Sequence, residues 1–298
     1  MPVKVLEGLD DWEIREDDLV IGECIGSGAA SLVYAGTWQG GPVAIKVMKD
    51  HLRRMSSKAR AGLCRELAIL QSVDHPNVVR MYGSVPMNPV KIVCELCVGG
   101  SVFGLLHDSR DIPVCWLQKL RMCDDVAKAM TYLHSFDPPI IHRDLKSLNL
   151  LLESPIHGAD DLSATKVTDF GLSRLKASTG NSTMTSDVGT AHWMAPEMSS
   201  NSKYDEKVDL YSYGMFIYEV VHRVVPWDNF DDPRLILATV SAGQRPPLDD
   251  SSDCPDLLRS LMTRCWDQDP KNRPDFQRAQ QIVGSLLPDA APPTKLSL

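Results

Sequence analysis

The sequence lacks an apolar run approaching the ~20 residues of a membrane helix, so no membrane-spanning segment is predicted. It also lacks a basic excess: 31 Lys and Arg stand against 39 Asp and Glu, and the net charge is −8. We therefore expect no wholesale binding of nucleic acid or of an anionic membrane surface. The first eleven residues carry no basic stretch followed by an apolar one, and Pro2 occupies the position of a myristoylated glycine. Neither a secretory leader nor N-myristoylation is predicted.

Metal-like cysteine patterns are nearly absent as well. Of eight cysteines, only Cys94 and Cys97 have C-x-x-C spacing, and no second such pair or nearby pair of histidines accompanies them. This argues against a zinc site. Reduced thiols in a cytoplasmic protein are the expectation.

The order of strand-like and helix-like segments predicts two lobes. Hydrophobic content of 43% and charged content of 23% are ordinary for a globular protein. Strands are expected at residues 19–25, 31–39, 43–49, 78–84 and 90–95, with one helix at 56–72. Two glycines, Gly99 and Gly100, then mark a boundary. Helices are expected beyond it, at residues 102–107, 116–135, 207–222, 233–241, 255–266 and 276–287.

This order predicts an α+β fold with a β-rich N-lobe, one key helix and a mainly α-helical C-lobe. We expect an N-terminal extension at 1–16, the N-lobe at 17–98, the C-lobe at 99–286 and a disordered tail at 287–298. A cleft between two lobes is a frequent ligand site.

Four motifs carry groups suited to phosphoryl transfer. The run HRDLKSLN at 142–149 puts a carboxylate, a lysine and an amide on one short loop, and DFG follows at 169–171. Upstream lie a glycine-rich turn at 26–28 and the lysine of VAIK at 43–46. In this order they resemble the signature of a eukaryotic protein kinase. The resemblance covers roughly residues 17–286 and implies a bilobal kinase fold.

The resemblance also implies how each residue would act. The cofactors would be ATP and Mg²⁺, with Mn²⁺ as a substitute, and the substrates would be protein hydroxyl groups. The implied catalytic residues are Asp144, Lys146, Lys46 and its helix partner Glu66, and the implied metal ligands are Asn149 and Asp169. The implied nucleotide-binding residues are Ile25, Gly26, Ser27, Gly28, Val33, Ala44, Lys46, Glu95, Cys97 and Leu151.

Two departures from the family pattern affect the glycine-rich turn. Ser31 replaces the third glycine, and Ala30 stands where an aromatic residue is common. Both replacements would affect how the glycine-rich turn closes over ATP and how tightly ATP binds. In the segment 93–97, Cys94 matches the position that gates the space behind the adenine pocket, and Glu95 and Cys97 would offer backbone groups to the adenine.

Each motif also has a plainer interpretation. The glycine-rich turn could be an ordinary hairpin, and Lys46 an edge-strand lysine. Asp144 could be a turn carboxylate, and Asp169 the start of an Asx-turn. None of these alternatives explains why all four motifs occur together at kinase spacing.

The group within the family is predicted from mixed features. Lys146 after HRDL is the serine/threonine form, whereas WEI at 12–14, WMAPE at 193–197 and CW at 265–266 resemble tyrosine kinases. This mixture is typical of the tyrosine-kinase-like group of serine/threonine kinases, which includes Raf-like and mixed-lineage members. The alternatives are a pseudokinase that binds without turnover, a tyrosine-specific enzyme and a small-molecule kinase of similar fold.

Further matches predict scaffold contacts. Glu197 and Arg273 match a family ion pair. Asp209 matches an aspartate that anchors the backbone of the catalytic loop, here residues 142–149. His142 and Phe170, with Leu70 and Met81, match an apolar stack that aligns the lobes. Residues 153–164 are expected to form a surface hairpin.

Two features bear on regulation. Arg143 precedes Asp144, and in family members with this arginine a phosphate on the activation segment, here residues 169–197, supplies its anion. Thr185 or Ser186 is the expected phosphorylation site, with self-association for phosphorylation in trans. The basic cluster at 49–65 is either a solvated face or a docking surface for an acidic partner.

Overall fold

The computed structural model describes residues 13–28, 31–49, 71–85, 89–170, 191–199, 204–249 and 253–288. It has a β-rich N-terminal part and a helical C-terminal part, so the predicted α+β class is confirmed. Among the described residues, none of the helices combines the length and hydropathy that a membrane crossing requires.

The N-terminal part is one antiparallel sheet of five strands. The strands are β1 (Leu19–Ser27), β2 (Ser31–Trp38), β3 (Gly41–Met48), β4 (Met81–Val85) and β5 (Lys91–Glu95). Their spatial order is β1-β2-β3-β5-β4. Successive residues of a strand face opposite sides of the sheet, so Val43 and Ile45, two residues apart, point together into a small apolar core. Val85 and Val93 from the neighbouring strands complete that core.

The last residues of the expected N-terminal extension pack against this sheet. Ile14 is 5% exposed and belongs to the same apolar core. Its backbone N–H donates to the carbonyl oxygen of Ser84 (2.9 Å). Nearby, the carboxylate of Glu16 accepts from Lys91 Nζ (2.7 Å). Residues 13–16 therefore cover one side of the sheet.

The C-terminal part contains five α-helices among the described residues: α1 (Trp116–His134), α2 (Lys207–His222), α3 (Pro233–Ser241), α4 (Asp256–Cys265) and α5 (Phe276–Leu286). Helix α2 is buried on all sides, because apolar and small residues fill nearly its whole circumference between Val208 and Val221. The catalytic loop and helices α1, α4 and α5 pack against it.

A two-stranded ribbon completes the described fold. Strands β6 (Leu150–Leu152) and β7 (Thr165–Val167) pair antiparallel, so the predicted hairpin between them is confirmed. Its loop is not wholly on the surface, since Ile156 is 5% exposed. The side-chain amide of Gln118, at the start of α1, donates to the carbonyl oxygen of Gly158 (2.8 Å). The loop is thereby fixed to the helical part.

The connection between the two parts passes close to this hairpin. The N–H of Gly99 donates to Leu152 O (3.0 Å), and the N–H of Leu152 donates to Gly100 O (2.9 Å). A Cβ at Gly99 would collide with the backbone of Ser154, and Gly100 has φ +75°. Both glycines are therefore required by geometry, one by close approach and the other by its left-handed backbone.

Most predicted elements lie within two residues of the observed bounds. The strand expected at 78–84 begins later, at Met81, because Val78 and Val79 pair with Val167 of β7 instead. The helix expected at 102–107 ends in a π-helical turn, Gly104–Asp108. The helix expected at 56–72 lies almost entirely outside the described residues.

Candidate active site

Strand pairing gathers several predicted nucleotide-binding residues on one face of the sheet. Val33 on β2 lies opposite Lys46 on β3, and Ala44 on β3 lies opposite Cys94 on β5. Lys46 and Ala44 are two residues apart, so all four side chains share a face. The pKa of the Cys94 thiol is raised to about 12, first by burial, with opposing effects of the nearby charges of Lys46 and Asp169. This face looks toward Asp169, because Lys46 on the same face contacts the Asp169 carboxylate.

Lys46 and Asp169 join the two parts of the chain. The Nζ of Lys46 lies 2.5 Å from Oδ1 of Asp169, which is 123 residues away in sequence. Both side chains are partly buried, at 14% and 35% exposure. Asp169 has φ +63°, a backbone conformation that non-glycine residues seldom adopt and that functional sites often retain. Glu66, the expected partner of Lys46, lies outside the described residues.

The catalytic loop holds three predicted residues in mutual contact. Asp144 Oδ1 lies 2.9 Å from Lys146 Nζ. The side-chain amide of Asn149 donates to the backbone oxygen of Asp144 (2.7 Å) and to its Oδ2 (3.2 Å). The N–H of Thr168 donates to the backbone oxygen of Asn149 (3.0 Å), which places the strand leading to Asp169 beside this loop.

Asp209 on α2 anchors the loop, as predicted. Its side chain is fully buried, and its Oδ2 and Oδ1 accept the backbone N–H groups of His142 and Arg143 (2.8 Å each). His134 Nε2 donates to Oδ2 (2.9 Å). Burial alone would raise the pKa of Asp209, but the hydrogen bond and charge of His134 and the other donors hold it below its ordinary value. Asp209 is therefore ionised, and it stabilises Arg143 at φ +66°.

His142 links the loop to the strand before Asp169. It is fully buried, and its Nε2 lies 2.9 Å from the carbonyl oxygen of Thr168. Its Nδ1 accepts the N–H of Asp144 (3.2 Å), so Nε2 carries the proton. Phe170 and Met81 belong to the same core, in agreement with the predicted stack, whose fourth member Leu70 lies outside the described residues.

The glycine-rich turn is partly described. Ile25, Gly26 and Ser27 end β1, and the N–H of Gly28 donates to Ser31 O (2.9 Å), which closes the turn. Lys49 Nζ, which the sequence analysis placed only in the basic cluster at 49–65, donates to Gly28 O (2.6 Å). Residues 29 and 30 lie outside the described chain.

The remaining nucleotide-binding candidates lie at the connection between the two parts. Glu95 ends β5, and Cys97 follows it at intermediate exposure. Leu151 lies on β6, where it pairs with Ser101 on the other side of the connection. These three residues thus come from both sides of the expected cleft.

The end of the activation segment is fixed by a buried ion pair. Arg273 donates from both terminal nitrogens to the carboxylate of Glu197 (2.6 and 3.0 Å), and its side chain has no exposed surface. The predicted ion pair is therefore present.

Sequence reasoning missed Glu219 on α2, which is fully buried. Its carboxylate accepts from Ser147 Oγ (2.5 Å), Trp193 Nε1 (2.9 Å) and His107 Nε2 (2.8 Å). It connects the catalytic loop with the segment that contains Trp193. A glutamate inside the apolar run of α2 is the sequence signal that could have indicated it.

The side chains present fit a magnesium ion. Asn149 uses its amide nitrogen toward Asp144, which leaves its carbonyl oxygen as a ligand, and Asp169 adds a carboxylate. Within the described residues, no cluster of three or more His, Cys, Asp or Glu could hold a metal by itself. Mg²⁺ is commonly bound by one or two protein oxygens together with substrate phosphates, so this small donor set suits a metal that arrives with a nucleotide.

Comparison with known proteins agrees with this geometry. The family model described as protein tyrosine and serine/threonine kinase matches residues 19–283. Serine/threonine-protein kinase CTR1 of Arabidopsis thaliana is 36% identical over 294 residues, covering 97% of this chain and 34% of the relative. Mitogen-activated protein kinase kinase kinase 7 of Homo sapiens is 36% identical over 278 residues, covering 92% and 43%. Probable serine/threonine-protein kinase drkD of Dictyostelium discoideum is 35% identical over 291 residues, covering 96% and 21%.

The chain thus spans from a fifth to less than half the length of these relatives. All three relatives are named as protein kinases. The family model covers the sheet, the catalytic loop and the helical part together. The chain therefore belongs to the protein tyrosine and serine/threonine kinase family, in its tyrosine-kinase-like serine/threonine group.

Proposed function

We propose that the chain is an ATP-dependent serine/threonine protein kinase domain. The observation that carries the proposal is the 2.5 Å contact between Lys46 and Asp169. It brings a phosphate-binding cation from the sheet and a metal-binding carboxylate from the helical part to one place. The catalytic loop with Asp144 joins Asp169 through the hydrogen bond from Thr168 to Asn149.

Each residue has a defined part in the reaction. Asp144 orients the substrate hydroxyl and accepts its proton, while the hydroxyl oxygen bonds to the γ-phosphorus and the bond to the β-phosphate oxygen breaks. Lys146, already 2.9 Å from Asp144, neutralises charge on the transferring phosphoryl group. Lys46 binds the α- and β-phosphates. When bound at Asn149 and Asp169, Mg²⁺ supplies charge neutralisation and alignment of the phosphates.

The adenine is expected between the two lobes. Ile25, Val33, Ala44 and Leu151 would supply apolar surface, and Glu95 and Cys97 would supply backbone hydrogen bonds. Gly26, Ser27 and Gly28 would place backbone N–H groups near the phosphates. Glu66 is proposed to pair with Lys46 once nucleotide and metal engage Asp169.

Three single variants test these roles. Asp144→Asn, Asp169→Asn and Lys46→Met should each lower kcat/KM by at least ~10², which is about 2.7 kcal/mol. Urea unfolding of each variant should remain cooperative. Lys119→Met is a control, because that lysine lies on α1 and its Nζ donates to Val221 O (2.9 Å) near the end of α2. Activity equal to that of the parent in all three variants would contradict the proposal.

We also propose a phosphorylation switch on the segment 171–190, which lies outside the described residues. A phosphate on Thr185 or Ser186 would pair with Arg143 and order the segment through charge-assisted hydrogen bonds. Phosphosite mapping after Mg-ATP treatment should find one of these residues, and a Thr185→Ala, Ser186→Ala double variant should lose the activation. A double variant as active as the fully phosphorylated parent would refute the switch.

The natural substrates are proposed to be cytoplasmic proteins with serine or threonine acceptors. Phosphorylation in trans requires two copies to meet, so activation should depend on enzyme concentration. A rate of self-phosphorylation per molecule that is independent of concentration would instead indicate transfer within one chain.

A further inference from the structure

A buried lysine ties the adenine-binding connection to the strand that leads to Asp169. Lys166 lies on β7, three residues before Asp169, and its Nζ is 2.6 Å from Glu95 Oε1 and 3.5 Å from Glu153 Oε1. The Lys166 side chain is 9% exposed, whereas those of Glu95 and Glu153 are 22% and 57% exposed. One cation thus bridges the end of β5, the start of the 153–164 loop and β7.

Glu95 is held from its other side as well. Its Oε2 accepts the backbone N–H of Arg80 (3.2 Å), and its own N–H donates to Arg80 O (2.9 Å). Both oxygens of the Glu95 carboxylate therefore have defined partners. The Glu95 side chain, on the backbone predicted to bind the adenine, is therefore fixed in one orientation.

The attraction between Lys166 and the two glutamates outweighs the cost of burying the ammonium group. Burial lowers the pKa of Lys166, but the hydrogen bond and charge of Glu95 and the charge of Glu153 outweigh it, so the pKa lies above its ordinary value. Lys166 is consequently an ammonium ion whose bond to Glu95 is charge-assisted. The Cys97 thiol lies near the same groups: burial, followed by the charge of Glu95, raises its pKa to about 11.

We infer that Lys166 is a positioning residue for the adenine: it holds the Glu95–Cys97 backbone in register with the strand that carries Asp169. The inference rests on the proposed nucleotide-binding function. Removing the ammonium leaves the carboxylates of Glu95 and Glu153 facing each other without a cation. Their repulsion displaces the connection on which the adenine edge depends.

This role predicts different effects at the adenine end and at the phosphate end of the nucleotide. A shift of the connection weakens adenine contacts but leaves the phosphate site at Lys46 in place. Adenosine and Mg-ATP should therefore lose affinity by the same factor in Lys166→Met. Lys46→Met should weaken Mg-ATP and leave adenosine almost unchanged.

Calorimetric titration of the whole chain with adenosine and with Mg-ATP tests the inference. In Lys166→Met both dissociation constants should rise three- to tenfold, equivalent to about 0.7 to 1.4 kcal/mol. Lys166→Arg, which retains the charge, should stay within twofold of the parent. Adding Glu95→Gln to Lys166→Met removes one of the two facing carboxylates and should recover part of the loss.

Lys128→Met is the control, since Lys128 forms an ion pair of the same length with Asp124 (2.6 Å) and both residues lie on α1. It should bind both ligands as the parent does. If Lys166→Met fails to fold, Lys166→Gln provides the same test with a polar side chain. Parental adenosine affinity in a folded variant without the Lys166 charge would overturn the inference.

Failure of the inference is distinguishable from failure of the proposed function. A parent that binds adenosine but transfers no phosphate would refute the kinase activity, and the effect of Lys166 on adenosine would still be measured. A parent with full activity and an unaltered Lys166→Met affinity would refute only the positioning role. A parent that binds no adenosine would overturn both.

Discussion

Substitution of Asp209 by asparagine tests how the fold holds the catalytic loop. The two carboxylate oxygens accept three donors: the backbone N–H groups of His142 and Arg143 and the ring Nε2 of His134. An asparagine has only one oxygen, and its NH₂ group must replace the other. In either orientation, at least one backbone N–H of the loop then faces a donor.

The expected losses of stability and of activity follow from these contacts. A buried donor left unpaired costs about 1–3 kcal/mol, and hydrogen bonds to a charged acceptor are worth more than those to a neutral one. We expect Asp209→Asn to lower the free energy of unfolding by about 2–4 kcal/mol. Because Arg143 holds φ +66° with help from these bonds, the adjacent Asp144 should lose its position. A fall in kcat/KM of about 10- to 100-fold is expected, equivalent to about 1.4–2.7 kcal/mol.

The contribution of Asp209 to the free energy of unfolding depends on pH with a definite sign. The folded pKa of Asp209 lies below its ordinary value of about 3.9, so ionised Asp209 stabilises the fold above that pH. This contribution is lost as the pH falls through the folded pKa. The stability difference between parent and Asp209→Asn should therefore be complete at pH 7 and shrink as the pH drops below about 4.

Asp125 offers a control with the opposite sign. Its Oδ2 accepts the N–H of Thr165 (2.9 Å), and burial raises its pKa. Its protonated form is favoured in the fold, so the stabilisation is present below the unfolded pKa and is lost as the pH rises through the folded pKa. Asp125→Asn can keep a neutral acceptor on Thr165 and should cost less than about 1 kcal/mol at pH 7.

Urea unfolding from pH 3.5 to pH 8, together with steady-state kinetics at pH 7, measures both effects. Parental stability and parental kcat/KM in Asp209→Asn would refute the anchoring role. A stability difference that grows toward low pH would refute the assigned ionisation.

Three further predictions concern separate parts of the molecule. Cys94→Phe should weaken inhibitors that carry a bulky group behind the adenine pocket far more than it weakens ATP; equal losses in their inhibition and Michaelis constants would count against this pocket placement. Glu197→Ala should lower the free energy of unfolding in urea by about 3 kcal/mol, because it leaves the buried guanidinium of Arg273 without its anion; a loss below about 1 kcal/mol would contradict that reasoning. Alkylation of the native protein at pH 8 should label exposed Cys24 well before Cys265, whose pKa burial raises to about 12, and mass spectrometry showing equal rates would contradict it.

The scaffold contacts that motifs encode were predictable from the sequence. The Glu197–Arg273 ion pair and the Asp209 anchor were both predicted from the resemblance to the kinase family, and both are present. Both contacts join residues that lie 66 to 76 positions apart in sequence, so local patterns alone would not have indicated them. The Glu153–Ala164 insertion was likewise recognisable as a hairpin from its turn residues.

Contacts between distant elements that no quoted family motif covers were not predictable. Lys166 lies 71 residues from Glu95, and nothing in either local pattern indicates the pairing. Lys46 contacts Asp169 only because the sheet and the helical part approach each other there. Ile14 lies in an acidic segment two positions after Trp12, and two apolar residues are too few for a periodicity that would mark Ile14 as part of the core.

The central claim is tested most directly by the chemical identity of the product. The purified chain is incubated with Mg-ATP labelled at the γ-phosphate and a peptide library containing serine, threonine and tyrosine, beside the Asp144→Asn variant. Phosphoamino-acid analysis should show label on serine or threonine with the parent and at least ~10²-fold less with Asp144→Asn. Label on tyrosine alone, or no transfer above that of Asp144→Asn, would contradict a serine/threonine kinase.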